Sequence, residues 1–322
     1  MSNSSPMSVE VGLNGYFQSD YEAPNKTIID VTGQSITPGF LPPMTRKIGD
    51  ARVLQESEDD GSPQFQRRFL NKYGFVLLEH CSLVENWDSG AFGPSDALQV
   101  GDRSEIRHES ENDVKTKYLG EVDSLLRETL FPNRQLYIQQ PDMVLRRGKN
   151  TAHPFFGLGV HNDYGVSADD FQENLQSFST PESGDEWRES FERKHVSEFM
   201  VINFWRTVHM SRPLEHMPLA VLDSSSINSQ DLVSSGLKGF THTGRITNQL
   251  SLKYNDDQSW YYYPNMTTDE VLVLKLFHIA KHDTQPRFGG CFHTAFENPS
   301  ASPDAEERQS CEHRVYVYVL KD

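Results

Sequence analysis

From Gln135 to the C-terminus the chain repeats one pattern: short runs rich in β-branched and aromatic residues, divided by polar turn sequences. The runs are "QLYIQQPDMVLRR" (135–147), "VINFWRTV" (201–208), "PLAVLD" (218–223), "QLSLKYN" (249–255), "SWYYYP" (259–264), "EVLVLKLF" (270–277) and "HRVYVYVL" (313–320). Each predicts a β-strand. Ahead of them the pattern predicts a helix over 64–73, an apolar strand "GFVLLEH" (74–80), and a second helix over 113–129. In that second helix Tyr118, Val122, Leu125 and Leu126 recur at helical spacing, with Asp113 as its cap. A polar, helix-patterned insertion interrupts the strands at 166–198 and is a candidate lid, while "ESEDDGSPQ" (56–64) reads as a mobile break. Residues 1–50, rich in Ser, Pro, Gly and Asn, read as an arm packed on a single body of residues 51–322. Many short strands without regular βα alternation exclude a doubly wound sheet and favour a mainly β, jelly-roll-like barrel with helices packed outside it.

Composition narrows the partners. The chain has 322 residues and a formal net charge of -16, against the clustered Lys and Arg that nucleic acid requires. Its 19 Phe, 12 Tyr and 4 Trp argue for a packed core. No apolar run approaches the roughly 20 residues of a membrane span, and "MSNSSPMSVEV" lacks the basic start and apolar centre of a signal peptide. Three cysteines without a CxxC pair suit a reducing compartment, so a cytoplasmic protein is expected.

The candidate chemistry lies in "GVHNDYG" (159–165). On an extended segment, positions two apart share a face, so His161 and Asp163 would present an imidazole and a carboxylate to one side. Two-histidine-one-carboxylate sites hold ferrous iron in this way. Spacing alone proves nothing: twelve histidines among 46 acids in 322 residues give about 1.7 such pairs by chance, and the chain has one. The best third ligand is His293 in "GGCFHTAFENP", an imidazole in apolar surroundings that needs a partner; a core histidine bonded to a backbone carbonyl is the alternative. His278 and His282 lack the Glu of a zinc-protease motif, and His153 has only its nearness in sequence to recommend it. In the last strand, Arg308, Ser310, Glu312 and Arg314 alternate onto one face, where an arginine can bind a carboxylate through paired hydrogen bonds; pairing with nearby acids is the alternative for each.

Five collinear segments then carry a resemblance: "VHNDYG", "VINFWRTV…PLAVLDSSSI…DLV", "WYYYPNMTTDEVLVLKLF", "FHTAFENP" and "RQSCEHRVYV". Over about residues 70–320 the chain resembles the fungal AsaB-type hydroxylase/desaturase family, which groups with cephamycin 7-hydroxylase-like and gibberellin desaturase-like proteins. The resemblance implies a double-stranded β-helix and an iron(II), 2-oxoglutarate-dependent oxygenase of secondary metabolism that uses O2. It implies His161, Asp163 and His293 as the metal ligands, with Arg308, Ser310 and Arg314 as the 2-oxoglutarate candidates; which arginine anchors the cofactor stays open. Arg206, Tyr164 and Trp205 are candidate substrate contacts, with a structural ion pair as the other reading of Arg206. A small-molecule substrate is expected, to be hydroxylated, desaturated or cyclised, and the oligomeric state is open, a homodimer being one option. Two rival readings are a metal-dependent hydrolase or isomerase on a cupin-like barrel, and a catalytically silent binding barrel.

Overall fold

The alternating apolar runs pair into three curled sheets in the computed structural model, which describes residues 8–87, 113–140, 144–149, 151, 154, 156–283 and 288–321. Fifteen strands follow in chain order: β1 (Val9–Leu13), β2 (Tyr16–Phe17), β3 (Thr27–Asp30), β4 (Met44–Asp50), β5 (Phe75–Glu79), β6 (Leu136–Gln139), β7 (Val144–Arg147) and β8 (Val196–Thr207). The rest are β9 (Leu219–Leu222), β10 (Leu232–Lys238), β11 (Gln249–Lys253), β12 (Trp260–Tyr262), β13 (Glu270–Ala280), β14 (His293–Ala295) and β15 (Ser310–Leu320). The largest sheet runs β5-β13-β8-β15-β6, with β7 also paired to β15. A second runs β1-β4-β12-β9-β14 and a third β2-β11-β10-β3. The mainly β class expected from the pattern is what forms.

Strands of the first fifty residues belong to these sheets: β4 lies between β1 and β12, while β2 and β3 pair with β11 and β10. The second and third sheets meet through one extended segment. His161 bridges to His293 on one side and Asn162 to Leu250 on the other. The segment holding the H-x-D pair is therefore a seam strand, hydrogen-bonded on both edges.

Helices cover the outside of the large sheet. The helix Phe65–Tyr73 buries Phe65, Phe69, Leu70 and Tyr73 and stops at Gly74, whose left-handed φ of 85° lets its N–H reach the Leu70 carbonyl at 2.9 Å. Two expectations need correcting. The break expected from 56 onward begins inside a helix, Ala51–Glu58, because Asp50 caps it by accepting from the Arg52 N–H at 2.8 Å. Asp113 does not cap the helical run that follows it, Val114–Tyr118, Leu119–Ser124 and Leu125–Leu130. Its carboxylate instead accepts from the backbone of Glu85 and Asn86, closing the loop before the run.

The insertion forms two helices, Ala168–Phe178 and Pro181–Glu192. Ser167 and Asp170 make a capping box at the first. Phe171 is fully buried, with ring centroids 4.7 Å from Trp187 and 5.0 Å from both Phe199 and Phe277. This aromatic cluster pins the insertion against β8 and β13. Among the described residues no helix is long and apolar enough to cross a membrane.

Candidate metal centre

The seam strand sets the site. Its backbone exchanges hydrogen bonds with His293 (3.0 and 3.3 Å) and with Leu250 (3.0 and 2.9 Å), which fixes the alternation of side chains. Asn162 points away, fully buried, and donates to the Tyr164 and Leu276 carbonyls at 2.8 and 3.1 Å. A Cβ on Gly290 would stand 2.7 Å from both Asn162 Oδ1 and the Leu276 carbonyl, so the glycine before β14 permits this close packing. His161 and Asp163 then share the other side, facing His293 on β14.

One ligand atom from each of His161, Asp163 and His293 lies within 4.8 Å of the other two. Asp163 Oδ1 is 3.3 Å from His161 Nε2 and 4.0 Å from His293 Nε2. Both imidazoles are oriented from behind: His161 Nδ1 is 2.7 Å from the Gly159 carbonyl, and His293 Nδ1 is 3.2 Å from the Cys291 carbonyl. A carbonyl only accepts, so each Nδ1 carries a hydrogen and each ring turns its Nε2 inward. The backbone contact of His293 fits both the core-histidine reading and the ligand reading, because it leaves Nε2 turned toward Asp163.

Electrostatics prepare the donors. Burial works against the Asp163 charge but is outweighed by Arg314, then by the two imidazoles, so the carboxyl is held well below its ordinary range. Burial, followed by the neighbouring His161, pushes His293 down to about 4, leaving that imidazole neutral at pH 7. For His161, burial is overcome by Asp163 and the pKa rises. Two nitrogens and one carboxylate oxygen, converging without an interposed side chain, make a donor set suited to a divalent transition metal.

The last strand brings the remaining candidates to the same region. Arg314 donates to Asp163 Oδ2 from Nε at 2.8 Å and from NH2 at 2.7 Å. Arg308 is 1% exposed and is held by the Met217 carbonyl, the Phe156 ring at 3.8 Å and the Trp205 ring at 5.5 Å. No carboxylate lies within 4 Å of it among the described residues. Its Nε and the Ser310 hydroxyl are both buried without a hydrogen-bond partner. Burial, then Arg147, lowers the Arg308 pKa to about 9. Here is a buried cation with a spare donor and, among the described residues, no carboxylate in direct ion-pair contact.

Of the three substrate candidates, Tyr164 lies next to Arg314 and Asp163, whose charges act on its buried phenol. Trp205 stands opposite Glu312 in the β8–β15 register, on the Arg308 face. Arg206 takes the opposite face. It donates to the His80 and Thr268 carbonyls and stacks 5.3 Å over Trp87, so it is not brought to the metal ligands, and no acid pairs with it among the described residues. His278 pairs with Glu198 at 3.1 Å, and His153 lies outside the described residues. Sequence reasoning missed Phe156 and the partner of Glu312, Arg147; only Glu312 itself was legible, from the alternation of the last strand.

Sheets of this order make a mainly β protein in which two imidazoles and a carboxylate converge on a point that could hold a metal ion. Residues 63–318 match the family described as oxidoreductase/YMDC permease-like domain, and the chain belongs to that family. Its curated relatives are fungal. Aspirochlorine biosynthesis protein N of Aspergillus oryzae is 30% identical over 37% of this chain and 47% of its own length. The hydroxylase/desaturase efuI of Hormonema carpetanum is 32% identical over 37% of this chain and 40% of its own. The chain thus spans less than half the length of these two relatives. The hydroxylase/desaturase CTB9 of Cercospora beticola is 28% identical over 93% of this chain and 90% of its own. Among solved structures, a W199F variant of the iron and alpha-ketoglutarate-dependent endoperoxidase NvfI superposes with a TM-score of 0.65 over 100% of both chains at 21% identity. The hydroxylase/desaturase resemblance read from the five segments is borne out.

Proposed function

We propose that this protein is a mononuclear iron(II), 2-oxoglutarate-dependent oxygenase that hydroxylates, desaturates or oxidatively cyclises a small secondary-metabolite substrate. The observation that carries the reading is the convergence of His161 Nε2, Asp163 Oδ1 and His293 Nε2, each imidazole held from behind by a backbone carbonyl. These three side chains would hold Fe(II) and leave coordination positions for the cofactor and O2. The second and third sheets, joined at the seam strand, support a closed double-stranded β-helix. We read residues 51–322 as one domain whose sheets are completed by strands β1–β4 of the N-terminal arm, with the insertion at 166–198 as a lid-like element beside the metal pair.

Between the two arginines, the unpaired one is the better cofactor anchor. Arg308 Nε, just before β15, and the hydroxyl of Ser310, its first residue, are buried donors without a partner among the described residues, and a carboxylate would satisfy both. Arg314 is already committed to Asp163. This also favours the oxygenase over a hydrolase or isomerase, which has no use for a buried carboxylate anchor. With both present, iron and 2-oxoglutarate would activate O2, which is the oxidant, while the 2-oxoacid would be oxidised to succinate and CO2. The chain's own task is to orient the cofactor from Arg308, fix the ligand tautomers, and present one substrate C–H bond with Tyr164 and Trp205 as wall residues. Substrate-independent conversion of 2-oxoglutarate to succinate tests the reading. Wild type is expected to form succinate slowly with Fe(II) and O2, and His161→Ala to form none; equal rates would overturn the assignment.

A further inference from the structure

The last strand carries four alternating charged or polar residues, and two of them belong to a chain of ion pairs that ends on the metal ligand. Arg147 on β7 donates from Nε to Glu312 Oε1 at 3.2 Å. Glu312 Oε2 accepts from Arg314 NH2 at 3.2 Å and faces Asn203 Nδ2 at 3.4 Å. Arg314 in turn places both Nε and NH2 on a single oxygen of Asp163, Oδ2. Asp163 Oδ1, the other oxygen, is the one turned to His161 and His293. The carboxylate is divided between two tasks.

We propose that Arg314 is a positioning residue that restricts Asp163 to one-oxygen coordination of the metal, with Glu312 and Arg147 as its supporting ion pairs. The inference rests on the iron-site reading above. A carboxylate free to rotate can bind a metal through both oxygens and occupy a position that the cofactor or O2 requires. A planar guanidinium engaging Oδ2 from two nitrogens ties up the second oxygen and fixes the carboxylate plane. A cation so near a divalent metal ion is unfavourable by itself. Glu312 offsets part of that cost: its charge cancels that of Arg314, and the four side chains, Asp163 included, alternate in sign and sum to zero. Glu312 and Arg314 are partly or wholly shielded from solvent, with side-chain exposures of 9% and 22%, where such pairing is least screened.

The sign of the effect on iron affinity separates positioning from plain electrostatics. Removing a cation next to a bound dication tightens metal binding if charge is all that matters. Removing an orienting partner loosens it, by about 10–100-fold for groups that hold a metal ligand from behind. The experiment is anaerobic Fe(II) titration of the full chain without 2-oxoglutarate, comparing wild type, Asp163→Ala, Arg314→Gln and Arg314→Lys. Near-infrared ligand-field bands of the bound Fe(II) report its coordination. Arg314→Gln is expected to weaken Fe(II) binding at least about tenfold and to shift those bands. Arg314→Lys keeps the charge without the planar fork, covers the case in which the glutamine variant misfolds, and should recover only part of the affinity. Unchanged or tighter binding in Arg314→Gln with wild-type bands overturns the positioning role while the iron reading stands. A wild-type chain that binds no Fe(II), or binds it equally in Asp163→Ala, overturns the iron reading itself.

Discussion

Replacing Arg308 by methionine should move ligand affinity and apoprotein stability in opposite directions. In the apoprotein the guanidinium is 1% exposed and its contacts are a carbonyl and two aromatic rings. Burial, then Arg147, brings its pKa down to about 9. A base whose folded pKa lies below its unfolded one weighs against the fold at every pH below the folded value, so at pH 7 the penalty is fully present. Methionine fills similar space without the charge, and forfeits one hydrogen bond to the Met217 carbonyl worth about 1.5–3 kcal/mol. Relief of the desolvation penalty is of the same size, so the variant's melting temperature should equal or exceed wild type. Cofactor binding should suffer. Two charge-assisted hydrogen bonds to a carboxylate, at about 1.5 kcal/mol each, give about 3 kcal/mol, or about a hundredfold in Kd. Thermal unfolding without ligands and anaerobic 2-oxoglutarate titration with Fe(II) read the two effects. A variant that binds 2-oxoglutarate within about threefold of wild type, far short of that loss, would refute the anchor. So would one whose affinity loss merely tracks a large loss of stability.

Two further outcomes test other parts of the molecule. Lys275 is buried on β13 with the Asn71 carbonyl 3.2 Å from its ammonium, and burial brings its pKa down to about 8. The unfolded chain then holds this proton up to higher pH than the folded one, so stability rises between about pH 8 and the ordinary lysine value near 10.4. Lys275→Met should raise stability at pH 7 by about 1–3 kcal/mol, with the gain shrinking through that window; chemical denaturation at pH 7 and pH 10 measures it, and a pH-independent difference would contradict it. Arg206→Ala should lower stability by about 2–4 kcal/mol, since it strands the His80 and Thr268 carbonyls, while Fe(II) and 2-oxoglutarate affinities hold. Lost cofactor affinity in a stable Arg206→Ala would return that residue to the site.

What the sequence could tell followed its local periodicities. The H-x-D pair, the Arg308–Ser310–Glu312–Arg314 alternation and most long strands depend on which residues share a face, and period-two spacing carries that. The helix Ala51–Glu58 was hidden because its last turn is acidic and runs into a turn-rich stretch that reads as a break. Asp113 has the right chemistry for a cap but a nearer pair of loop N–H groups claims it. The roles of the two arginines were unreadable for a different reason. Arg314 meets Asp163 across 151 residues of sequence, whereas Arg308 makes no ion pair among the described residues, and only the tertiary fold separates them. Arg206 was similarly ambiguous until the β8 register put it on the face away from Trp205.

The central claim is that His161, Asp163 and His293 hold Fe(II) while Arg308 holds a 2-oxoacid against it. Anaerobic addition of Fe(II) and 2-oxoglutarate to the apoprotein, followed by visible spectroscopy, tests it most directly. The expected result is the weak charge-transfer band of a chelated 2-oxoacid, absent in Asp163→Ala. A wild-type protein that binds iron without the band, or shows it equally in Asp163→Ala, would contradict the claim.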